Sequence, residues 1–240
     1  MRIIAVSDLH GNLPGREPLK HLAMPDGDLL CICGDIVPLD IQRDYLLSEI
    51  WFNSEFLDWT NSLPYKKIIV IPGNHDFYLY RLFRKGKTPE FISSEKNTRV
   101  ELLIDSLTEY EGLTIYGTPW CPDLTEWAFY KDSESLTKSF NRIPDCDILM
   151  SHCPPSLGHQ GIVLQGGYNH LKDFSCEELA EAVLEKNITW VLSGHVHSGA
   201  HYEEVIENSS GKAIRMRNVS LLDEDYNIAY GPFVLEINKQ

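Results

Sequence analysis

The 240-residue sequence is short of positive charge and of long hydrophobic runs. Its 21 Lys and Arg stand against 35 Asp and Glu, so the formal net charge is −14 with histidine neutral. Such an acidic surface repels phosphate backbones, which argues against a protein that coats nucleic acid. No stretch approaches the roughly 20 apolar residues of a membrane span, and the first apolar run, at 3–6, is too short for a signal peptide. We therefore expect a cytoplasmic protein that has neither a membrane nor a nucleic acid as its partner.

Several common frameworks are also missing from the sequence. The six cysteines form no paired Cys-x-x-Cys framework and lie mostly in apolar runs, so we predict that they are buried and reduced. Gly-x-Gly-x-x-Gly, His-Glu-x-x-His and Gly-x-Ser-x-Gly are all absent, which removes the usual dinucleotide, zincin and α/β-hydrolase patterns. The 43% of hydrophobic residues can build a full core, and no linker or repeat divides the chain. We predict one domain over residues 1–240.

The strongest pattern is a set of apolar runs that each end abruptly in polar residues. These runs lie at 3–6, 29–33, 68–71, 147–150 and 190–192. Continuous apolar runs of this length are typical of strands buried on both faces. Helical spacing is found at 41–62, 77–83 and 175–186, the last with a capping box of Ser175 and Glu178. Further strands are predicted at 98–104, 113–117, 201–206, 213–220 and 232–238. The order of the elements predicts an α/β fold in which helices cover mixed sheets.

Candidate functional side chains, most of them possible metal ligands, follow each of the five apolar runs. They are Asp8 and His10, then Asp35, then Asn74 and His75, then His152, and finally His195 and His197. Functional groups of buried parallel sheets gather beyond the carboxyl ends of the strands, so we expect these side chains to meet. In an extended segment residues i and i+2 point the same way, which would aim both members of each Asp-x-His or His-x-His pair at one point.

The chemistry of these donors restricts which metal ions they can bind. Oxygen and imidazole nitrogen suit Mn, Fe, Zn or Ni rather than a Cys-rich zinc site or a calcium cage. Seven candidate ligands are too many for one tetrahedral ion but fit two ions that share a carboxylate. Asp35 is the expected bridge, because Gly34 permits a close approach of the backbone. Each motif alone has an ordinary structural explanation, and the combination carries the hypothesis.

The order of these motifs resembles the calcineurin-like metallophosphoesterase superfamily over positions 3 to 197. The series is Asp8-Leu9-His10, Gly34-Asp35, Gly73-Asn74-His75-Asp76, Ser151-His152 and Gly194-His195-Val196-His197. The resemblance implies a four-layer α-β-β-α sandwich with two mixed β-sheets. It also implies a first metal held by Asp8, His10 and His197, a second held by Asn74, His152 and His195, and Asp35 between them. His75 matches the family histidine that faces the leaving-group oxygen and does not bind metal.

A second set of motifs points to one subgroup. The segment Gly117-Thr118-Pro119-Trp120-Cys121-Pro122, together with Trp127-Ala128-Phe129 and His152-Cys153-Pro154-Pro155, is similar to the brain metallophosphoesterase-domain subgroup. Its members hydrolyse cyclic nucleotides and other phosphodiesters with manganese. Cys153 stands where that subgroup more often has glycine. Pro38 replaces the aspartate that Ser/Thr phosphatases place three residues after the bridging Asp, which argues against a protein phosphatase.

The resemblance implies a phosphodiesterase for small substrates such as cyclic nucleotides. Two divalent ions, with manganese favoured, would lower the pKa of a bridging water, and hydroxide would attack phosphorus while His75 acts as general acid. Three alternatives stay open: a phosphomonoesterase, a nuclease of the same superfamily, and a scaffold that keeps the fold without catalysis. The aromatic residues could line a substrate pocket or belong to the core; they are Trp120, Trp127, Phe129 and Tyr130.

Overall fold

Two mixed β-sheets lie at the centre of the protein in the computed structural model, which describes residues 1–11, 19–97, 99–165 and 170–237. The strands in chain order are β1 (Arg2–Val6), β2 (Leu29–Cys33), β3 (Lys67–Ile71), β4 (Val100–Leu102), β5 (Ser106–Tyr110), β6 (Leu113–Thr118), β7 (Cys146–Ser151), β8 (Ile162–Gln165), β9 (His170–Asp173), β10 (Ile188–Ser193), β11 (Glu204–Glu207), β12 (Ala213–Asn218) and β13 (Phe233–Glu236). One sheet has the order β13-β1-β2-β3-β4, and the other has the order β11-β12-β10-β7-β6-β5. β8 and β9 form a separate antiparallel pair.

Both large sheets are parallel in the middle and antiparallel at an edge. β1, β2, β3 and β4 pair in parallel, and β13 runs antiparallel to β1. In the second sheet β12, β10, β7 and β6 are parallel, while β11 and β5 are antiparallel edge strands. The carboxyl ends of the central parallel strands therefore lie along one edge of each sheet.

The two faces of each sheet are buried in different surroundings. Successive strand residues point to opposite faces, so Ile3 and Ile4 of β1 belong to two different apolar clusters. The cluster of Ile3 includes Ile148 and Met150 of β7, which means that it lies between the two sheets. The cluster of Ile4 includes buried side chains of the helices. These continuous apolar strands are fully buried, as their sequences predict.

Short helices cover the outer faces of the sheets. They are α1 (Tyr45–Trp51), α2 (Leu57–Ser62), α3 (Phe77–Arg84), α4 (Glu90–Ser93), α5 (Ser133–Phe140) and α6 (Glu177–Leu184), and a π-helical stretch, Phe52–Phe56, joins α1 to α2. Buried side chains of α1 to α3, α5 and α6 belong to the same apolar cluster as one face of the strands β1 to β3, β7 and β10. The four-layer α-β-β-α sandwich with two mixed sheets is thus confirmed.

Two details of the predicted helices differ from the structure. The first helix begins at Tyr45 rather than at 41, because the Asp44 carboxylate accepts from the backbone N–H groups of Leu46 and Leu47, each at 3.0 Å. The capping box predicted for α6 is wrong. Cys176 is the N-cap of that helix, and the Ser175 hydroxyl donates to the Asp173 carboxylate instead.

Two predictions from composition can be compared with the structure. All six cysteines lie in the described part of the chain, and each is free and buried, as predicted. Across the described residues no helix has both the length and the apolar character needed to cross a membrane.

Candidate metal centre

All eight side chains predicted for the site come together at the carboxyl ends of five strands. Asp8 and His10 follow β1, Asp35 follows β2, Asn74 and His75 follow β3, His152 follows β7, and His195 and His197 follow β10. His195 is partly exposed and the other seven are buried. The site therefore uses both sheets, and it lies where the parallel strands of each sheet end.

Asp35 stands at the middle of the cluster. Its Oδ2 atom lies 3.3 Å from His152 Nε2 and 3.8 Å from the Nε2 atoms of both His10 and His75. His152 Nε2 also lies 2.9 Å from Asn74 Oδ1. A carboxylate with neighbours on both sides is the group expected to join two metal positions.

Asp8 is the second buried carboxylate of the site. Its Oδ1 atom lies 3.5 Å from His197 Nε2. The ligand atoms of Asp8, His10 and His197 are all within 4.8 Å of one another, and so are those of Asp8, Asp35 and His152. The two groups share Asp8, so they are parts of one larger cluster.

The donors of this cluster fit divalent cations, and His10 gives the clearest sign. His10 is completely buried, yet neither of its ring nitrogens has a hydrogen-bond partner among the described residues. A buried polar group without a partner costs about 1–3 kcal/mol, so each such group in a native protein needs an explanation. A metal ion between His10, Asp8 and Asp35 would satisfy one of these nitrogens with the chemistry that imidazole and carboxylate prefer.

The backbone at the site is bent more sharply than the sequence suggested. Asp8, His10, Asp35 and His195 have positive φ angles of 56°, 43°, 51° and 68°. Side chains of left-handed residues do not follow the alternation of a strand, so the expectation that extended i and i+2 residues aim the donors is wrong. Tight turns bring them together instead. Four strained residues in one site are typical of a functional constraint.

Three glycines allow the loops to approach closely. A Cβ atom at Gly194 would lie 2.5 Å from Asp8 Oδ2, and one at Gly73 would lie 2.5 Å from the backbone nitrogen of Asp35. Gly34 has a φ angle of +100°, and its missing Cβ leaves room for the ring of His152. The close approach predicted for Gly34 is confirmed, and Gly73 and Gly194 play the same part.

Backbone groups hold the ligand side chains in place. His75 N donates to Asp35 Oδ1 at 2.8 Å, and His195 N donates to Asp8 Oδ2 at 3.0 Å. Nδ1 of His152 donates to the Cys33 carbonyl at 2.9 Å, and Nδ1 of His197 donates to the Asp223 carbonyl at 3.0 Å. Because Nδ1 is used in this way, Nε2 of both histidines faces the carboxylates and is the atom available to a metal.

The charged groups of the site shift one another's pKa values. Burial alone would raise the pKa of Asp8, but the hydrogen bond and charge of His197 lower it to about 2. Burial opposes ionisation of Asp35 as well, yet the charges of His152 and His75 hold its pKa well below the usual range. Burial would lower the pKa of His152, but Asp35 raises it to about 10. His152 Nε2 faces both Asn74 Oδ1 and Asp35 Oδ2, a position where these oxygens favour positive charge.

His75 contacts Gln42, which the sequence analysis did not identify, and Trp127, which it named as a possible pocket residue. Its Nδ1 atom lies 2.6 Å from Gln42 Oε1, and its ring centroid lies 4.5 Å from that of Trp127. The Arg43 guanidinium lies 4.2 Å from the Phe77 ring centroid and 5.1 Å from that of Trp127, and it donates to the Glu126 carbonyl. Trp127 is therefore a partly exposed neighbour of the site. Trp120 and Phe129 are buried in the core.

Asp76 was quoted in a motif but received no role, and the structure shows what it does. Its carboxylate accepts from the backbone N–H groups of Gly73 at 2.8 Å, Ile36 at 3.1 Å and Val37 at 3.0 Å. Burial and the charge of Asp35 raise the pKa of Asp76 to about 7. Asp76 thus joins the loop after β3 to the loop after β2.

The sequence was compared with protein families and known proteins. A family model described as calcineurin-like phosphoesterase matches residues 1–199. Human and mouse proteins named metallophosphoesterase domain-containing protein 1 are each 31% identical over 217 residues, which cover 82% of this chain and 61% of theirs. The chain thus spans less than two thirds of the length of these relatives. A Caenorhabditis elegans protein named UPF0046 protein C25E10.12 is 29% identical, over 99% of this chain and 81% of its own.

Several solved structures are similar in fold, and one crystal structure among them serves as the example. It superposes with a TM-score of 0.56 at 14% sequence identity, and the match covers 90% of this chain and 89% of the other. At that identity the similarity supports the arrangement of the sheets and helices and nothing finer. It agrees with the two mixed sheets described above.

Proposed function

The chain belongs to the calcineurin-like phosphoesterase family, and from this premise we propose that it is a metal-dependent phosphodiesterase for small substrates. The observation that carries the proposal is the convergence of oxygen and imidazole donors from five strand ends around Asp35, with both ring nitrogens of buried His10 lacking partners among the described residues. A family of this kind implies divalent metal ions, and the His and Asp groups of the site can hold them.

We assign seven residues to two metal positions. The first position uses Asp8, His10 and His197, the second uses Asn74, His152 and His195, and Asp35 is shared. Manganese is the favoured ion, with iron, zinc and nickel as the other ions that suit these donors. When bound, such ions neutralise phosphoryl oxygens and lower the pKa of water.

We assign to His75 the role of protonating the leaving-group oxygen. The Gln42 amide oxygen can only accept, so Nδ1 of His75 carries a hydrogen and the ring orientation is fixed. Nε2 then lies on the side of Asp35, at 3.8 Å from its Oδ2 atom, and is the atom from which a proton can pass to the departing oxygen. A positioned general acid of this type contributes about 10²- to 10⁴-fold to the rate.

Small phosphoesters, with cyclic nucleotides or similar compounds as the leading candidates, are proposed as substrates. The net charge of −14 disfavours long phosphate backbones. A cytoplasmic location belongs to the same proposal, and the six free, buried cysteines support it because such thiols are typical of reducing compartments.

The test is turnover of the manganese-loaded protein on an aryl phosphodiester and on the matching monoester, followed by cyclic nucleotides. We expect the diester to be hydrolysed faster. The reverse order would identify a phosphomonoesterase, and hydrolysis of single-stranded DNA with a steep salt dependence would identify a nuclease. A protein that binds manganese but hydrolyses none of these substrates would be a scaffold, and the proposal would fall.

Two variants test the assigned roles. On an ester with an alkoxide leaving group, we expect His75→Ala to lose about 10²- to 10⁴-fold in rate and to keep its metal. Asp35→Asn should lose metal, because the shared carboxylate loses its charge and one acceptor oxygen. Metal content measured on the purified variants separates the two roles, and equal loss of metal in both would contradict them.

A further inference from the structure

A cysteine thiol lies beside the two imidazoles assigned to the second metal position. The sulfur of Cys121 and one ring nitrogen each of His152 and His195 are all within 4.8 Å of one another. Cys121 is completely buried, as is His152. The three residues belong to different parts of the chain, so their meeting is a property of the fold.

The backbone around Cys121 is fixed where it faces the site. Its N–H donates to the Phe129 carbonyl at 3.0 Å, and its own carbonyl accepts from Lys131 N at 3.3 Å. His152 N donates to the Thr118 carbonyl at 3.2 Å, which places the loop after β6 directly beside the loop after β7. The main chain that carries the sulfur is therefore held beside the loop of His152 by backbone hydrogen bonds.

The partners of the neighbouring thiols differ. Cys153 donates its thiol to the Phe174 carbonyl at 3.3 Å. The contact of Cys121 Sγ with the Pro119 carbonyl is 3.8 Å long, and its thiol also interacts with that of Cys153. Of these two cysteines, Cys121 is the one grouped with imidazole nitrogens at distances a metal ion could span.

We propose that Cys121 is a sulfur ligand of the second metal position, together with His152 and His195. The proposal rests on the proposed function, because that function gives the two imidazoles a metal. On coordination the thiol becomes a thiolate, and its proton passes to solvent. Two imidazoles and a thiolate select zinc, iron or cobalt over manganese. Manganese then suits the first position, where Asp8, His10 and His197 offer nitrogen and oxygen alone.

Cobalt is the probe, because a thiolate bound to Co²⁺ gives a charge-transfer absorption band in the near ultraviolet. We titrate Co²⁺ into the metal-free full chain and expect this band in the wild-type protein. It should be absent in Cys121→Ser. Cys146→Ser is the control, since it removes a buried thiol at the start of β7, the end of that strand opposite to His152, and its band should equal that of the wild type.

X-ray absorption of the zinc-loaded wild-type protein is a second measurement, which needs no variant. A sulfur ligand at about 2.3 Å is distinguished from nitrogen and oxygen ligands at about 2.0–2.2 Å. We expect one sulfur ligand per protein molecule, averaged in the spectrum over all of the zinc ions that the protein binds. A spectrum with nitrogen and oxygen alone would overturn the proposal even if Cys121→Ser failed to fold.

The outcomes separate this proposal from the one on which it rests. If the wild-type protein binds Co²⁺ without the charge-transfer band, or if Cys121→Ser keeps the band, Cys121 is not a ligand and the phosphodiesterase proposal stands. If the wild-type protein binds neither cobalt, zinc nor manganese, both proposals fall.

Discussion

Replacing Gly73 by alanine should separate the two loops that carry Asp35 and Asn74. A Cβ atom at Gly73 would lie 2.5 Å from the backbone nitrogen of Asp35 and 2.7 Å from Cε1 of His152, whereas ordinary contact starts at 3.4 Å. The atoms in the way are Asp35 Oδ1, the backbone nitrogen of Asp35 and the ring of His152. The carboxylate oxygen and the ring are both held by hydrogen bonds, so neither can rotate aside without losing one. One of the loops must therefore move by about 1 Å, a displacement of the size that disturbs a catalytic site.

The size of the effect follows from the crowding. Forcing an extra methyl group into a well-packed site costs about 1–3 kcal/mol of the free energy of unfolding. Moving the groups that support metal ligands typically lowers metal affinity by about 10- to 100-fold. We expect Gly73→Ala to show both effects. Urea denaturation of the metal-free protein measures the first, and calorimetric titration with Mn²⁺ measures the second.

Gly86 offers the matched control. It has a φ angle of +61°, and no atom of the described residues lies within 4 Å of the position of its missing Cβ. Gly86→Ala therefore carries the conformational cost of a left-handed residue, about 1–2 kcal/mol, without any crowding. Its metal affinity should match that of the wild type. A Gly73→Ala protein that binds Mn²⁺ as tightly as Gly86→Ala would refute the reasoning.

Two more predictions concern residues that support the site. Gln42→Leu removes the acceptor for His75 Nδ1. The rate should fall more for an ester with an alkoxide leaving group than for a nitrophenyl ester, because the nitrophenyl leaving group needs no proton. Equal losses for both esters would contradict the role assigned to His75. Asp76→Ala leaves three buried backbone N–H groups without their acceptor. Each unsatisfied group costs about 1–3 kcal/mol, so the free energy of unfolding measured with urea should drop by at least about 3 kcal/mol. A drop under about 1 kcal/mol would show that water or another group replaces the carboxylate.

The central strands could be predicted from sequence because burial on both faces leaves a continuous apolar run. β2 reads Leu-Leu-Cys-Ile-Cys, and all five residues are buried. β5 reads Ser-Leu-Thr-Glu-Tyr at the edge of its sheet, where it is only partly buried and resembles a loop in composition. α5 is short and mostly polar, with Leu136 and Phe140 as its buried apolar anchors. Elements that bury few apolar side chains therefore show only a weak hydrophobic pattern in the sequence.

The grouping of the candidate ligands could be predicted for the same reason. Each candidate directly follows one of the strongest apolar runs, so predicting the strands also located the donors. The left-handed turns at Asp8 and His10 could not be predicted, because pattern reasoning assumes that a strand continues to alternate. Gln42 contacts His75 across 33 positions of sequence, and no local pattern indicates such a contact.

The part of the chain beyond the family match also shapes the site. The match ends at residue 199, yet the carbonyl that orients His197 belongs to Asp223. The ring of Tyr226 lies 5.0 Å from that of His197 and 5.3 Å from that of His10. Val219 links the ends of β1 and β10, because its carbonyl accepts from Ser7 N and its own N–H donates to the Ser193 carbonyl. The family pattern thus marks the candidate ligands, and a later segment of the chain orients one of them, His197.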